Sequence, residues 1–133
     1  MEEYIVTLVE LKTNREMTTT IFEDEEETTG KIVLKVYISD QEIVASDYNY
    51  LPAYQNLRDK LLAMGYGIKC NGSRLNAVQS GMMGANDRVY LVDLGRQALN
   101  KDIVSLYDYA DIKEFPDTSA QNCFFEKWSK SII

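Results

Sequence analysis

Apolar and polar residues alternate in several stretches of the chain, which is the pattern of half-buried β-strands. The clearest case is 31–39, where Ile32, Leu34, Val36 and Ile38 fall on one face. That face is expected to be buried, because successive side chains of a strand point to opposite sides of a sheet. Further stretches with strand character are 4–11, 18–22, 42–46, 68–70, 88–94 and 103–107, the last of which also suits a short helix.

Two segments show the three- and four-residue spacing of amphipathic helices. The first covers about 49–64, and its residue Arg58 is predicted to face solvent. The second covers 117–132, where Thr118 and Gln121 stand at capping-box spacing. The stripes predicted to be buried are Tyr54, Leu57, Leu61 and Met64 in the first helix, and Phe124, Phe125, Trp128 and Ile132 in the second.

The order of these elements predicts an α+β fold, because runs of strands alternate with single helices. We expect a largely antiparallel sheet of about five or six strands with two helices packed on one face. A chain of 133 residues that is 45% hydrophobic suffices for one core. Residues 1–133 are therefore predicted to form a single domain.

Composition excludes most familiar enzyme chemistry. The chain has no histidine, which removes the commonest general base, the commonest zinc ligand and every Ser-His or Cys-His pair. We therefore expect no enzyme, no catalytic residue, no cofactor and no metal site.

Cys70 and Cys123 follow no paired motif and are expected to be free thiols. Without a signal peptide or a long apolar run, the protein is expected to be cytoplasmic and not bound to membranes.

Acidic residues are concentrated in the first part of the chain. The net charge is −7 overall, and the first fifty residues alone carry −8. This balance argues against nucleic acid and favours encounter with a basic protein partner, although solubility alone is also a sufficient reason for it. The run 23–27 is predicted to be a solvated hairpin loop, and the tyrosines near the first helix to be interface or core-edge residues. The candidate partner-binding residues are Glu23, Asp24, Glu25, Glu26, Glu27, Tyr48 and Tyr50.

The polar segment 70–86 combines three glycines with an arginine, a composition that suits an anion-binding loop. It matches neither the P-loop nor the dinucleotide fingerprint. The alternative is a structured loop in which Arg74 pairs with a nearby acid such as Asp93. The candidate ligand-binding residues are Ser73, Arg74, Ser80, Arg88 and Arg96.

The strings CNGSRLNAVQSGMMG, RVYLVDLGRQAL and DIVSLYD resemble a family of small uncharacterised bacterial proteins with a CxGSR…SGM element. Some of these proteins are similar to antitoxin-like immunity proteins from toxin cassettes. The chain departs from the pattern at Gln79, where the family has proline. The resemblance implies that one shared feature, whether site or scaffold, contains Arg74, Ser80, Gly81, Met82 and Arg96.

Three hypotheses follow for function. The favoured one is a partner-binding protein, most specifically an immunity or antitoxin-like inhibitor that sequesters a basic toxin domain. The second is a small anion- or ligand-binding domain, or a small enzyme, that uses the region around Ser73, Arg74, Arg88 and Arg96. The third is a homo-oligomeric structural protein without a ligand.

Overall fold

A computed structural model describes the backbone of residues 1–133 and every side chain except that of Met82. The described residues form eight strands and two α-helices. In chain order these are β1 Glu2–Glu10, β2 Arg15–Glu25, β3 Ile32–Ile38, β4 Gln41–Asp47, α1 Tyr50–Ala63, β5 Tyr66–Ile68, β6 Ala77–Val78, β7 Arg88–Leu91, β8 Ile103–Ser105 and α2 Thr118–Ser131.

The main sheet has five antiparallel strands in the order β4-β3-β2-β1-β5, which confirms the predicted α+β fold. β1 and β2 form a hairpin that is paired along its full length, from Glu2 opposite Glu23 to Glu10 opposite Arg15. β5 pairs with the other side of β1. β1 is therefore an interior strand, and β2 and β3 carry the sheet out to β4 at the far edge.

The alternation predicted for the third strand is confirmed. Ile32, Leu34, Val36 and Ile38 are buried, and they face α1 together with the inward residues of the neighbouring strands. α1 presents the stripe that its spacing predicts, and Tyr54, Leu57 and Leu61 in this stripe are fully buried. The helix ends before Gly65, whose φ of +93° is a backbone conformation that glycine adopts at little cost.

α2 differs from the prediction in its position. β6, β7 and β8 form a second, three-stranded sheet, and α2 packs against α1 and β6 rather than on the main sheet. The predicted aromatic core stripe of α2 is wrong, because Phe125 is 41% exposed and Phe124 and Trp128 are half-buried. The buried residue of this helix is instead Gln121. No described helix combines the length and apolar character needed to cross a membrane.

Three local predictions about the helices are also wrong. Arg58 does not face solvent: its side chain is 1% exposed, because it lies between the two helices. α2 is capped by Asp117 rather than by Thr118, since the Asp117 carboxylate accepts a hydrogen bond from the Ala120 amide at 2.9 Å. Met64, at the end of the predicted stripe of α1, is exposed.

Candidate functional site

The acidic run is only partly the loop that its charge pattern predicts. Glu23, Asp24 and Glu25 are the last residues of β2, and only Glu26 and Glu27 belong to the turn before β3. The strand continues because β1 and β3 both pair with Glu23 and β3 also pairs with Asp24 and Glu25, and this pairing outweighs the repulsion between neighbouring carboxylates. Since side chains alternate along a strand, Glu23 and Glu25 point to the face that α1 covers, and Asp24 points to the opposite face.

Glu23 is a buried carboxylate without a partner. Its side chain is 4% exposed, and neither carboxylate oxygen has a hydrogen-bond partner among the described side chains. Its direct cross-strand neighbours are Glu2 on β1 and Leu34 on β3. A like charge directly opposite and an apolar neighbour both disfavour an ionised carboxyl group at this position. Ionisation of Glu23 at this position therefore lowers the stability of the folded protein.

Three tyrosines and a second acid surround Glu23 from other elements. Tyr4 lies on β1, Tyr50 begins α1, and Tyr107 follows β8. The Tyr4 hydroxyl donates to Asp87 Oδ2 at 3.2 Å, and its ring stacks on that of Tyr107 with centroids 4.1 Å apart. The Tyr107 hydroxyl is buried and has no hydrogen-bond partner among the described side chains. The cluster is thus rich in polar groups that the protein itself does not fully satisfy.

Burial raises the pKa of Glu23 to about 7, and the carboxylates of Asp87 and Glu2 act in the same direction. The hydroxyls of Tyr4 and Tyr50 face the carboxylate and oppose this rise, although neither reaches hydrogen-bond geometry with it. Burial and the nearby Glu23 charge also raise the pKa of Tyr50. A carboxyl group that titrates near neutral pH beside a cleft is a recognised feature of functional sites.

An open cleft of about 200 Å³ lies at this end of the β1–β2 hairpin. We call it the acidic cleft; its lining residues are Met1, Glu2, Glu23, Asp24, Glu25 and Tyr50. Four of the seven predicted partner-binding residues, namely Glu23, Asp24, Glu25 and Tyr50, therefore come together here. Within the described part of the chain, no group of three or more acidic or cysteine side chains is arranged to hold a metal ion.

The other three predicted partner-binding residues lie outside the acidic cleft. Glu26 stabilises its own turn, where its carboxylate accepts a hydrogen bond from Thr29 at 2.8 Å. Glu27 is exposed on the same turn. Tyr48 is 61% exposed and its ring lies 5.3 Å from the Lys31 ammonium nitrogen. These residues extend the exposed charged surface beside the cleft without lining it.

The CNGSR segment is a buried structural element. Ser73 and Cys70 have no exposed surface, and the Tyr54 hydroxyl hydrogen bonds with the Ser73 hydroxyl and lies 3.1 Å from Cys70 Sγ. Gly72 packs so closely that an added Cβ would lie 2.9 Å from the side chains of Leu106 and Tyr54. Glycine is needed here for close packing, and Ser73 is not available to a ligand.

A buried hydrogen-bond network joins this segment to both helices. Gln121 Nε2 donates to the carbonyls of Gly72 at 2.9 Å and Arg74 at 2.7 Å, and Gln121 Oε1 accepts from Arg58 Nη2 at 2.6 Å. Sequence reasoning missed this role of Arg58 and Gln121. A signal was present, because Arg58 stands four residues after Tyr54 and so lies next to the buried stripe of α1.

The arginines of the proposed ligand site have different surroundings. Arg74 Nε donates to Asn71 Oδ1 at 3.1 Å, so its predicted pairing with Asp93 is wrong. Asp93 instead lies 3.4 Å from Arg96 in an exposed pair. Arg88 is exposed on β7.

The structure also separates Arg74 from Ser80, which line two different clefts, and neither cleft contains Arg88 or Arg96. Arg74, Ser80 and Arg96, which the resemblance assigns to one shared feature, therefore do not line a common cleft. Ser80 and Gly81 are exposed, and the side chain of Met82 lies outside the described residues.

The departure at Gln79 has a structural reason. Its Oε1 accepts a hydrogen bond from the Leu51 amide at 3.2 Å, which satisfies a free donor at the start of α1. Its Nε2 donates to the carbonyls of Asn86 and Arg88 at 3.0 and 2.9 Å. A proline at this position has no side-chain donor or acceptor with which to make these bonds.

The prediction of free thiols is confirmed for both cysteines. Cys70 is fully buried, and burial raises the pKa of its thiol, so the reactive thiolate form is suppressed. Cys123 is exposed on α2.

No protein-family model matches the chain, and no curated protein matches it either. The resemblance to small bacterial immunity-type proteins therefore stays a prediction.

Proposed function

We propose that this protein is a partner-binding protein, most specifically an immunity or antitoxin-like inhibitor that sequesters a basic toxin domain in the cytoplasm. The observation that supports this proposal most strongly is the acidic cleft. It lies in the most acidic part of the chain and contains a buried carboxylate, Glu23, for which the protein supplies no partner. A cationic group from another molecule is the natural complement of such a site.

Two further features support the proposal. The acidic run continues from the cleft onto the exposed turn at Glu26 and Glu27, so negative charge extends over the surface on this side of the small pocket. Such a surface speeds encounter with a basic partner, and the pocket then supplies specific contacts. The unpaired state of Cys70 and Cys123 fits a reducing compartment, which is why we place the interaction in the cytoplasm.

Affinity capture from a lysate of the source organism, at low and at high salt, is the first test. We expect a basic protein that is recovered less well at high salt, because salt screens contacts between exposed charges. The captured protein is then purified and its binding measured with the purified chain. Co-expression in a host that the partner harms tests whether the chain neutralises that harm.

A matched pair of variants tests the location of the interaction. Replacing Glu25 and Glu27 with serine removes one exposed carboxylate that lines the cleft and one on the adjoining turn, and replacing Glu114 and Glu126 with serine removes two exposed carboxylates elsewhere. We expect only the first variant to bind the purified partner clearly more weakly. Equal weakening by both variants would contradict the acidic surface as the binding face. Recovery of nothing but copies of the chain would overturn the proposal in favour of a homo-oligomer.

A further inference from the structure

We propose that the acidic cleft binds the guanidinium group of one arginine side chain of the partner, and that Glu23 is the residue that pairs with it. This inference rests on the proposed function and names the group that the cleft recognises. It differs from a general attraction between charged surfaces, because it assigns the specific contact to one carboxylate.

The hydrogen-bonding capacity of Glu23 favours a guanidinium over other cations. Both of its carboxylate oxygens lack a donor among the described side chains, so both are available as acceptors. A guanidinium presents two parallel N–H groups that match the two oxygens of one carboxylate, whereas an ammonium group acts as a point charge. Tyr50 lines the same cleft, and an aromatic ring close to a bound cation adds a favourable electrostatic contact.

The size and charge of the cleft agree with a single side chain. At about 200 Å³ it is smaller than the pockets that hold whole small-molecule ligands, which are roughly 300–1,000 Å³. Glu2 and Glu25 are exposed at its rim and add negative charge around the entrance. An arginine that projects from a protein surface fits these dimensions better than a free metabolite.

Entry of the guanidinium requires a small movement. The oxygens of Glu23 have almost no exposed surface in the unbound protein, so neighbouring side chains that line the cleft, such as those of Tyr50 and Glu2, must shift to admit a donor. Changes of side-chain rotamer at binding surfaces are common.

Binding is coupled to the protonation of Glu23. The groups that act on its pKa, or whose own pKa it raises, are Glu2 and Tyr4 on β1, Tyr50 on α1, Asp87 before β7 and Tyr107 after β8, and none of these side chains is cationic. A guanidinium that pairs with Glu23 therefore supplies an opposite charge that these groups lack, and it stabilises the ionised form. We expect arginine binding to lower the pKa of Glu23 and to release a proton near neutral pH.

The test uses small probes and does not require the partner. Acetyl-Gly-Arg-Gly-amide is titrated into the intact protein at constant ionic strength, and the carboxyl carbon of Glu23 is followed by NMR as a function of pH. The matching citrulline peptide is the neutral control, and the lysine peptide is the ammonium control. We expect a saturable shift at Glu23 and a lower pKa with the arginine peptide alone. An unchanged Glu23 titration, or an equal response to either control peptide, overturns the proposal.

Two variants compare the cleft with the surrounding charge in binding to the purified partner. Glu23→Gln keeps the size of the side chain and should weaken binding by roughly tenfold or more, as expected when one member of a buried charge pair is removed. Glu27→Gln removes the same charge from the exposed turn and should weaken it by about threefold or less, because exposed pairs contribute little. Equal effects of the two variants would show that no arginine is held at Glu23.

The results also separate this inference from the proposed function. If the arginine peptide binds at Glu23 but no partner is captured, the pocket stands and the inhibitor function fails. If a basic partner is captured and Glu23→Gln binds it as well as the natural chain, the function stands and the arginine pocket fails.

Discussion

Glu23→Gln should stabilise the folded protein at neutral and alkaline pH, which is unusual for a substitution at a buried position. The pKa of Glu23 is raised from 4.5 to about 7 in the folded state, so the folded protein holds this proton more tightly than the unfolded chain does. The stability from this group is fully present below about pH 4.5 and is lost as the pH rises through about 7. Glutamine is neutral at every pH and avoids that loss.

The size of the effect follows from the two pKa values. A rise from 4.5 to about 7 corresponds to at most about 3.4 kcal/mol in the free energy of unfolding. The carboxyl group lies beside an open cleft, where solvent screens part of this energy, so we expect Glu23→Gln to gain about 1–3 kcal/mol at pH 8. At about pH 4.5 the two proteins should differ little, because the Glu23 carboxyl is then neutral in the folded state and already about half neutral in the unfolded chain.

Urea unfolding of both proteins at several pH values between about pH 4.5 and pH 8 measures this difference. Contributions from other groups, such as Asp59 and Asp111 with their lowered pKa values, cancel when one curve is subtracted from the other. Glu126→Gln, an exposed acid on α2, is the control and should give no pH-dependent gain. A constant difference, or a loss of stability at pH 8, would refute the reasoning, because it would mean that the ionised Glu23 carboxylate is well solvated or bonded.

Three further predictions concern the scaffold and the thiols. Gln121→Met should lower the free energy of unfolding by about 3 kcal/mol or more in urea titrations, because it removes the partner of buried hydrogen-bonding groups on α1 and in the loop. Gly72→Ala should cost about 1–3 kcal/mol in the same assay, since its Cβ overlaps the Tyr54 ring, and a neutral result would contradict the close packing. In the native protein a thiol reagent followed by mass spectrometry should label Cys123 quickly and Cys70 only at the rate of unfolding; fast double labelling would show that the buried thiol is accessible.

The periodicity of the sequence determined which faces of the main elements are buried. Alternation in β3 places Val36 and the other apolar residues of the strand on the inner face, because a strand has only two faces and one of them is exposed to solvent. The same reasoning gave the buried face of α1 around Leu57. The helix ends before Gly65, close to the predicted end at about residue 64, and the positive φ of this residue is a local property that glycine supplies.

The sequence failed where a residue's surroundings come from distant parts of the chain. Arg58 and Gln121 are polar, and polarity on a helix predicts exposure unless a partner on another helix satisfies them. Phe125 is apolar, and its spacing along the helix predicts burial. However, α2 packs against α1 and β6 and leaves the Phe125 side chain 41% exposed. In both cases tertiary packing decided the outcome.

The acidic cleft shows the same division most clearly. The sequence identified the acidic run and Tyr50 as candidate partner-binding residues, because local charge and aromatic content are visible in the chain itself. It did not show that β2 extends through Glu23, since that depends on backbone pairing with β1 and β3. Nor did it bring Tyr4 to Asp87, which stands 83 residues further along the chain. Composition determined the charge of this surface. Only the tertiary structure, which packs β1, β3, the start of α1 and the segments before β7 and after β8 around Glu23, buried this carboxylate without a partner.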